Sequence, residues 1–439
     1  MTLSTRRGIP GRLAAAGLAV LIASACSNTG SGQARPVTLD SHLLVAEGVA
    51  REVPKNAPVA ETVAGMTKFG YDLYAISADP TKNFVLSPLS IAYAFGMARA
   101  GATGATADQI DQVFGFPPKG PHTALNVLSR ELVTIDGPPP TPAEGTESTK
   151  DAEESKPPLV SIANALFVQN GFPIKEPYLH TLAAQYGTGM RALDFTSPTA
   201  KEQIDTWVRE QTADRIKKLF DQLSPGTQLV LANAVYFKGD WKYPFDPQGT
   251  TPEPFTRADG SVVQVPTMHA QGEGEYNYAA TDDWQAVELP YAGSDLAMWV
   301  LVPTGAAGPG ELLAPDVLAA VGHRLAPSRV DLSLPRWDFG SNINHLLDPL
   351  AKLGLTDLGN FGGISDAGLL VTNAAHRANI TVDEHGTEAA AVTGIEADSG
   401  PIPVRADRPF AFAIVHGPTN TPLFIGHVAD PADTAGTAG

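Results

Sequence analysis

Apolar residues recur at helical spacing through the first half of this chain and in short strand-like runs through the second. That segregation predicts an α+β fold, not the regular strand–helix alternation of a doubly wound sheet. Val63, Met66, Phe69, Leu73 and Ile76 share one face of a helix predicted over 59–76. Asn83-Phe84-Val85-Leu86 reads as a short buried strand, and Pro88 with Ser90 opens a second helix through Ile91, Ala94, Phe95 and Met97. Further helices are expected over 106–114, capped by Thr106, over 125–132, and around Ile204, Trp207 and Val208. Strands are predicted over 160–168, 229–237, 262–265, 286–289, 296–302, 330–334, 410–415 and 423–428, with another beginning at Ile380.

Hydrophobic residues make up 43% of the 439 and charged residues 18%, enough apolar material for a large core and too much for wholesale disorder. Residues 137–158 are the exception. Pro138, Pro139, Pro140 and Pro142 stand there among Glu144, Glu147, Asp151, Glu153 and Glu154, a composition that cannot bury enough surface to order itself. The formal charge of −17 disfavours nucleic acid, whose phosphates call for a basic face.

The N-terminus carries a different signal. Arg6, Arg7 and Arg12 precede an apolar run from Leu13 to Ala23 that is too short to span a bilayer, and the small residues Ala23, Ser24 and Ala25 precede Cys26. This is the layout of a secretory signal peptide over 1–25. The chain's single cysteine sits where a bacterial lipobox places its lipidated one, although Ala23 stands where Leu is usual. That resemblance implies cleavage before Cys26, diacylglyceryl modification of its sulfur, and a protein held at the extracytoplasmic side of a membrane. An ordinary signal peptide with an incidental cysteine is the alternative. Cleavage leaves 27 Lys and Arg, three fewer than the whole chain's 30, against 47 acids, a formal charge of −20. One cysteine permits no internal disulfide. Residues 26–56 open on Ser27, Asn28, Gly30, Ser31 and Gly32 and read as a tether to the folded body.

No catalytic motif stands out: there is no Gly-x-Ser-x-Gly elbow, His-Glu-x-x-His pair, or Gly-rich phosphate loop with Lys. Asp383, Glu384, His385 and Glu388 form the one concentration of metal-ligating types, and along a strand they alternate between faces instead of converging. No metal is expected there, and with ten histidines present counting alone leaves a catalytic triad open, although no motif marks one.

The stretch Asp383-Glu384-His385-Gly386-Thr387-Glu388-Ala389-Ala390-Ala391-Val392-Thr393 is unusual. Gly386 interrupts a strand, small side chains follow, and Gly394 to Pro403 then reads as an exposed loop. Such a ribbon costs little in water and does not clash if it slips between packed strands. An Ala-rich helix or a plain linker is the alternative from composition alone. The stretch closely resembles the serpin hinge, Glu-x-Gly-Thr-Glu-Ala-Ala-Ala-x-Thr. Asn83 to Ile91, Gly104 to Ile110, Asn233-Ala234-Val235-Tyr236-Phe237-Lys238-Gly239-Asp240-Trp241, Leu334-Pro335-Arg336, Val404 to Phe410 and Leu423 to Val428 resemble further serpin motifs in the same order. The resemblance covers about 57–431, which makes the acidic run an insertion within one domain and 432–439 a flexible tail. Asp205 and Asp214 depart from the pattern, standing where Asn and Gly are usual.

The resemblance implies mixed β-sheets with a surrounding helical layer and an exposed C-terminal reactive-centre loop, and a non-enzyme: a suicide inhibitor of a serine protease, or of a cysteine protease, acting as a monomer without cofactor. Its bait loop inserts into the main sheet after attack. A non-inhibitory serpin that binds a partner at the cell surface is the alternative, and a hydrolase of unknown type a distant third. Thr387 then enters the sheet first, Ala389 and Ala391 face the core, and Glu388 and Ala390 face out. Glu384 pairs with Arg336 at the top of the sheet. Ser87, Ser90, Asn233 and His376 form the polar cluster that must let strands part. The usual hinge length places the bait bond at Gly400-Pro401, a poor site for most serine proteases. The bond is therefore expected within Ile395, Glu396, Ala397, Asp398 and Ser399. Ile395 or Ala397 would suit an elastase-like enzyme and Glu396 a Glu-specific one.

Overall fold

The computed structural model describes residues 42–135, 137–139, 156–223, 226–270, 275–385 and 400–434. Two sheets and a helical layer account for them. A six-stranded sheet runs, edge to edge, His42–Leu44, Met190–Leu193, Leu159–Gln169, Leu229–Lys238, Val371–Val382 and Trp337–Ile343. A ten-stranded sheet includes Phe84–Leu86, Thr421–Val428, Phe410–His416, Leu296–Pro303 and Ala326–Pro335. Between them lies helix Pro88–Arg99, whose residues from Pro88 to Ala98 are all buried. Its sequence is apolar on every side, which suits a helix enclosed by core. Helix Ala200–Gln211 covers the opposite face of the six-stranded sheet, over a separate apolar cluster that includes Phe167, Trp207, Val230 and Phe220.

The predicted elements form, with instructive differences. The first helix is Val59–Ser77, and Val63, Met66, Phe69 and Leu73 are buried, but Ile76 is 37% exposed because the last turn runs past the core. The third helix begins at Gly104, so Thr106 lies inside its first turn and is not the cap. Its hydroxyl instead donates to Asp357 Oδ1 at 2.8 Å and accepts from the Asn360 amide at 3.0 Å. Ile380–Val382 ends a strand that began at Val371 and does not begin one.

The expected insertion over 137–158 is ordered at both ends. Pro139 and Pro158 are buried, and the Thr134 hydroxyl donates to the Pro158 carbonyl at 3.0 Å. Residues 140–155 lie outside the described residues.

The expected tether is also shorter than 26–56. His42–Leu44 pairs antiparallel with Met190–Ala192 as an edge strand. Past it, the Glu52 amide donates to the Ala184 carbonyl at 2.8 Å, Asn126 Nδ2 donates to the Glu52 carbonyl at 3.1 Å, and the Arg51 guanidinium donates to the Ser129 hydroxyl. Polar residues in this stretch satisfy buried partners on the body, so its composition resembles a linker while its function is packing. The edge strand fits because Gly189 has no side chain: a Cβ there would collide with the Leu44 carbonyl oxygen. Gly189→Val is therefore expected to release residues 42–52. The check is trypsin cleavage after Arg51, much faster in the variant with the bulk melting transition nearly unchanged; equal resistance in both proteins would contradict the packing.

Candidate functional site

The six-stranded sheet is divided by a seam. The central strand Leu229–Lys238 and the hinge strand Val371–Val382 run parallel, paired from Leu229↔Val371 to Val235↔Ala378 with one irregularity between Val371 and Asn373. On their other sides both strands pair antiparallel, the central one with Leu159–Val168 and the hinge strand with Trp337–Ile343. Parallel pairing is slightly the weaker kind per residue. A chain leaving Val382 through a tight turn and doubling back would run antiparallel to both strands of the seam.

The turn is present. The His385 amide donates to Asp383 Oδ1 at 2.9 Å, a local side-chain turn of the sort Asp favours. Beyond Ala378 and Val235 the strands diverge around a cavity of about 430 Å³ lined by, among others, Arg215, Lys238, Trp241, Asn379, Asp383 and His385. Trp241 stacks on Tyr291 at 4.6 Å and donates from Nε1 to the Asp383 carbonyl at 3.0 Å, which fixes the top of the hinge strand.

The structure brings Glu384 and Arg336 together, as expected. Arg336 Nε donates to Glu384 Oε1 at 2.6 Å, and the Thr250 hydroxyl donates to the same oxygen. Burial pushes the Glu384 pKa up, but the hydrogen bonds from Thr250 and Arg336 outweigh it and hold the carboxyl below its usual range. Its other oxygen, Oε2, is buried without a hydrogen-bond partner among the described residues. A buried carboxylate satisfied on one side only is a costly anchor, and it sits at the turn that follows the hinge strand.

Beneath the centre of the seam, Ser87, Ser90, Asn233 and His376 converge. The Ser87 amide donates to His376 Nε2 at 3.1 Å and the Ser90 amide to Ser87 Oγ at 3.2 Å. Asn233 Nδ2 reaches Ser90 Oγ at 2.6 Å and the Ser90 carbonyl at 2.7 Å, and Asn233 Oδ1 faces His376 Nδ1. Accepting at Nε2 leaves the imidazole neutral with its proton on Nδ1. Sequence reasoning missed Asn164, which lies directly across from Asn233 in the register and donates to the Ser90 carbonyl at 3.0 Å. Thr250 was missed as well. Only the strand register and a long return of the chain place these two.

The remaining predicted site residues are divided by the described range. Gly400 is described and exposed, just before the strand Ile402–Arg405 that pairs parallel with Val330–Ser333. Gly386, Thr387, Glu388, Ala389, Ala390, Ala391, Thr393, Ile395, Glu396, Ala397, Asp398, Ser399 and Cys26 lie outside the described residues. Among the described residues, no group of three or more His, Cys, Asp or Glu is arranged to hold a metal ion.

Burial drives the His376 pKa down to about 3. The folded value lies below the unfolded one, so this neutral ring contributes stability that is complete above about pH 6.5 and is lost as pH falls from there toward 3. Burial also lowers His122 and His427 to about 4, so all three share the acid response. Melting temperatures taken from pH 7 to pH 4 are expected to fall steeply in the native protein. His376→Gln should melt lower at pH 7 and show a shallower acid slope. An unaltered slope would remove His376 from the response.

Comparison with known proteins gives one family. The model described as Serpin (serine protease inhibitor) matches residues 64–431. An uncharacterized serpin-like protein of Thermococcus kodakarensis is 32% identical over 87% of this chain and 88% of its own. Neuroserpin of Homo sapiens is 34% identical over 82% of this chain and 88% of its own. The crystal structure of a thermophilic serpin, tengpin, in its native state superposes with a TM-score of 0.74 at 23% identity, covering 89% of this chain and 99% of that one.

Proposed function

This chain belongs to the serpin family, and from that premise we propose that it is a suicide inhibitor of a serine protease, or second of a cysteine protease, that traps its target by inserting its own bait loop into the six-stranded sheet. The protease nucleophile attacks the bait carbonyl, an acyl bond forms, and the C-terminal side of the bait bond departs as an amine. The ribbon after Gly386 then adds as a strand, a mode of recognition in which serpin loop insertion is a known instance. The protein acts as a stoichiometric reagent, consumed with its target.

The observation that carries this reading is the parallel seam. A ribbon returning from Val382 meets antiparallel partners on both sides, with the cavity at the top of the seam as its entrance. Alternation turns Thr387, Ala389 and Ala391 inward and Glu388 and Ala390 outward. The inward set is small enough to pass between packed strands. Glu388 remains in water.

Length narrows the bait bond. The hinge strand has 12 residues, and a ribbon reaching its far end needs as many, Thr387 to Asp398. The bond then falls at Asp398–Ser399, at the end of the expected window and short of the unsuitable Gly400–Pro401. A protease that cuts after an acidic residue is the matching target. The proposed setting is the extracytoplasmic face of a membrane. Residues 1–25 serve as signal peptide, Cys26 carries the lipid, and the tether ends where the edge strand begins at His42.

An SDS-resistant complex is expected from at least one member of a protease panel, with release of a fragment beginning at Ser399 when read by mass spectrometry. Thr387→Arg should replace the complex with simple cleavage, because a bulky cation must enter the core first. Cleavage of the loop should also raise the melting temperature by tens of degrees, of the order that release of a metastable state permits. Trapping that survives Thr387→Arg would contradict strand insertion. No rise in melting temperature on cleavage would favour a non-inhibitory binding protein. A fragment beginning anywhere other than Ser399 would overturn only the length argument.

A further inference from the structure

We infer that the outward face of the N-terminal edge strand, Leu43 and Val45 together with the nearby Val53, lies against the bilayer as a lipid-binding face; the inference rests on the reading above that Cys26 carries a lipid. Among the described residues six large hydrophobic side chains are exposed, and three of them fall within residues 43–53: Leu43 at 48%, Val45 at 43% and Val53 at 68%. Single exposed apolar residues are ordinary on a folded surface, whereas a concentration of them marks a contact.

The alternation of this strand is not that of an edge facing water. Leu44 packs against the core and Ala46 is buried in it, so Leu43 and Val45 point the other way, into solvent. Polar side chains are expected on such a face, and edge strands are ordinarily guarded by Lys, Pro or a covering element. Among the described residues, the one strand partner of His42–Leu44 is Met190–Ala192, and the pair closes its side of the six-stranded sheet. The backbone is held closely there, since the Leu44 carbonyl oxygen and Val45 Cγ1 occupy the space that a Cβ at Gly189 would need. The apolar face is thus firmly presented.

The chain's own connection to the membrane selects the occupant. Fifteen residues, 27–41, separate Cys26 from the strand. Even fully extended they reach only about 50 Å, so a lipid on Cys26 keeps this part of the body beside the headgroups at high effective concentration. Over residues 42–55, Arg51 and Lys55 balance Glu47 and Glu52, and Arg191 stands opposite Leu43 in the strand register. In a chain of net charge −17 this stretch therefore meets an anionic surface without repulsion. Leu and Val side chains enter the boundary between headgroups and acyl chains, a depth at which water still reaches the outer backbone groups of the strand. Docking there leaves the seam free, because the edge lies three strands, about 14 Å, from Leu229–Lys238.

Cys26 is the chain's one cysteine, so the anchor can be supplied chemically. The mature chain from Cys26 is coupled through that thiol to a maleimide phospholipid in phosphatidylcholine–phosphatidylglycerol vesicles. Its amide hydrogen exchange is compared with that of the same chain, thiol blocked, free in solution. Residues 43–46 and 53 are expected to exchange slower on the vesicles by roughly threefold or more, while residues 410–416 of the larger sheet keep their rate. The variant carrying Leu43→Ser, Val45→Ser and Val53→Ser should lose that slowing and melt at the parent's temperature, since the replaced side chains are exposed. No slowing on vesicles overturns the inference. Slowing that survives in the variant does so too, as an effect of tethering alone. Slowing that appears in free solution as protein concentration rises assigns the face to a second copy and likewise overturns it. The intact mass of the protein from expressing cells decides the anchor separately: an unmodified Cys26 removes that reading, and the coupled vesicles still decide whether the face binds lipid.

Discussion

Two parallel strands lying side by side between antiparallel neighbours are the constraint on which this molecule depends. Leu229–Lys238 and Val371–Val382 share hydrogen bonds only as far as Val235 and Ala378. Adding one strand between them exchanges a single parallel contact for two antiparallel ones and lengthens the sheet's hydrogen bonding to its full height. The segment that follows Val382 in the chain is the one whose direction already satisfies that exchange. The sheet is therefore complete as a fold and incomplete as a hydrogen-bonded structure, and in the proposed function that difference is the reservoir of free energy that loop cleavage would release.

Such a reservoir is useful only if the seam stays shut until then. Buried polar groups suit that task better than apolar ones. An apolar contact slides with gradual loss, whereas the interlocked bonds among Ser87, Ser90, Asn164, Asn233 and His376 fail together and leave several buried donors and acceptors without partners. Their location at the middle of the seam makes the barrier high. The half-satisfied carboxylate of Glu384 at the top does the reverse, being held by Arg336 and Thr250 on one oxygen and by no described residue on the other. The seam is thus firm at its centre and weak where the ribbon would enter.

Much of this was legible in the residues. Apolar spacing located the first two helices and the long strands, since periodicity reports which face is buried. The central cluster and the Glu384–Arg336 pair followed from motif resemblance. What failed were features fixed by distant parts of the chain. Residues 42–52 look like part of a polar tether, and only the close approach at Gly189 and the bond from the Glu52 amide to the Ala184 carbonyl make them part of the body. Thr106 looks like a cap until Asp357 is placed beside it by more than two hundred intervening residues. Asn164 carried no signal of its own, because its role comes from standing opposite Asn233 across a strand pair.

Asp205 and Asp214 show how a departure from a pattern becomes informative once geometry is known. At Asp214 a left-handed backbone that glycine adopts freely is instead imposed on a residue with a side chain, and Asp is among the few that tolerate it. At Asp205 a neutral amide would keep the hydrogen bond to the Leu219 amide but not the ion pair with Lys201. Both changes act on the same short segment and bind it more definitely to one position over the seam.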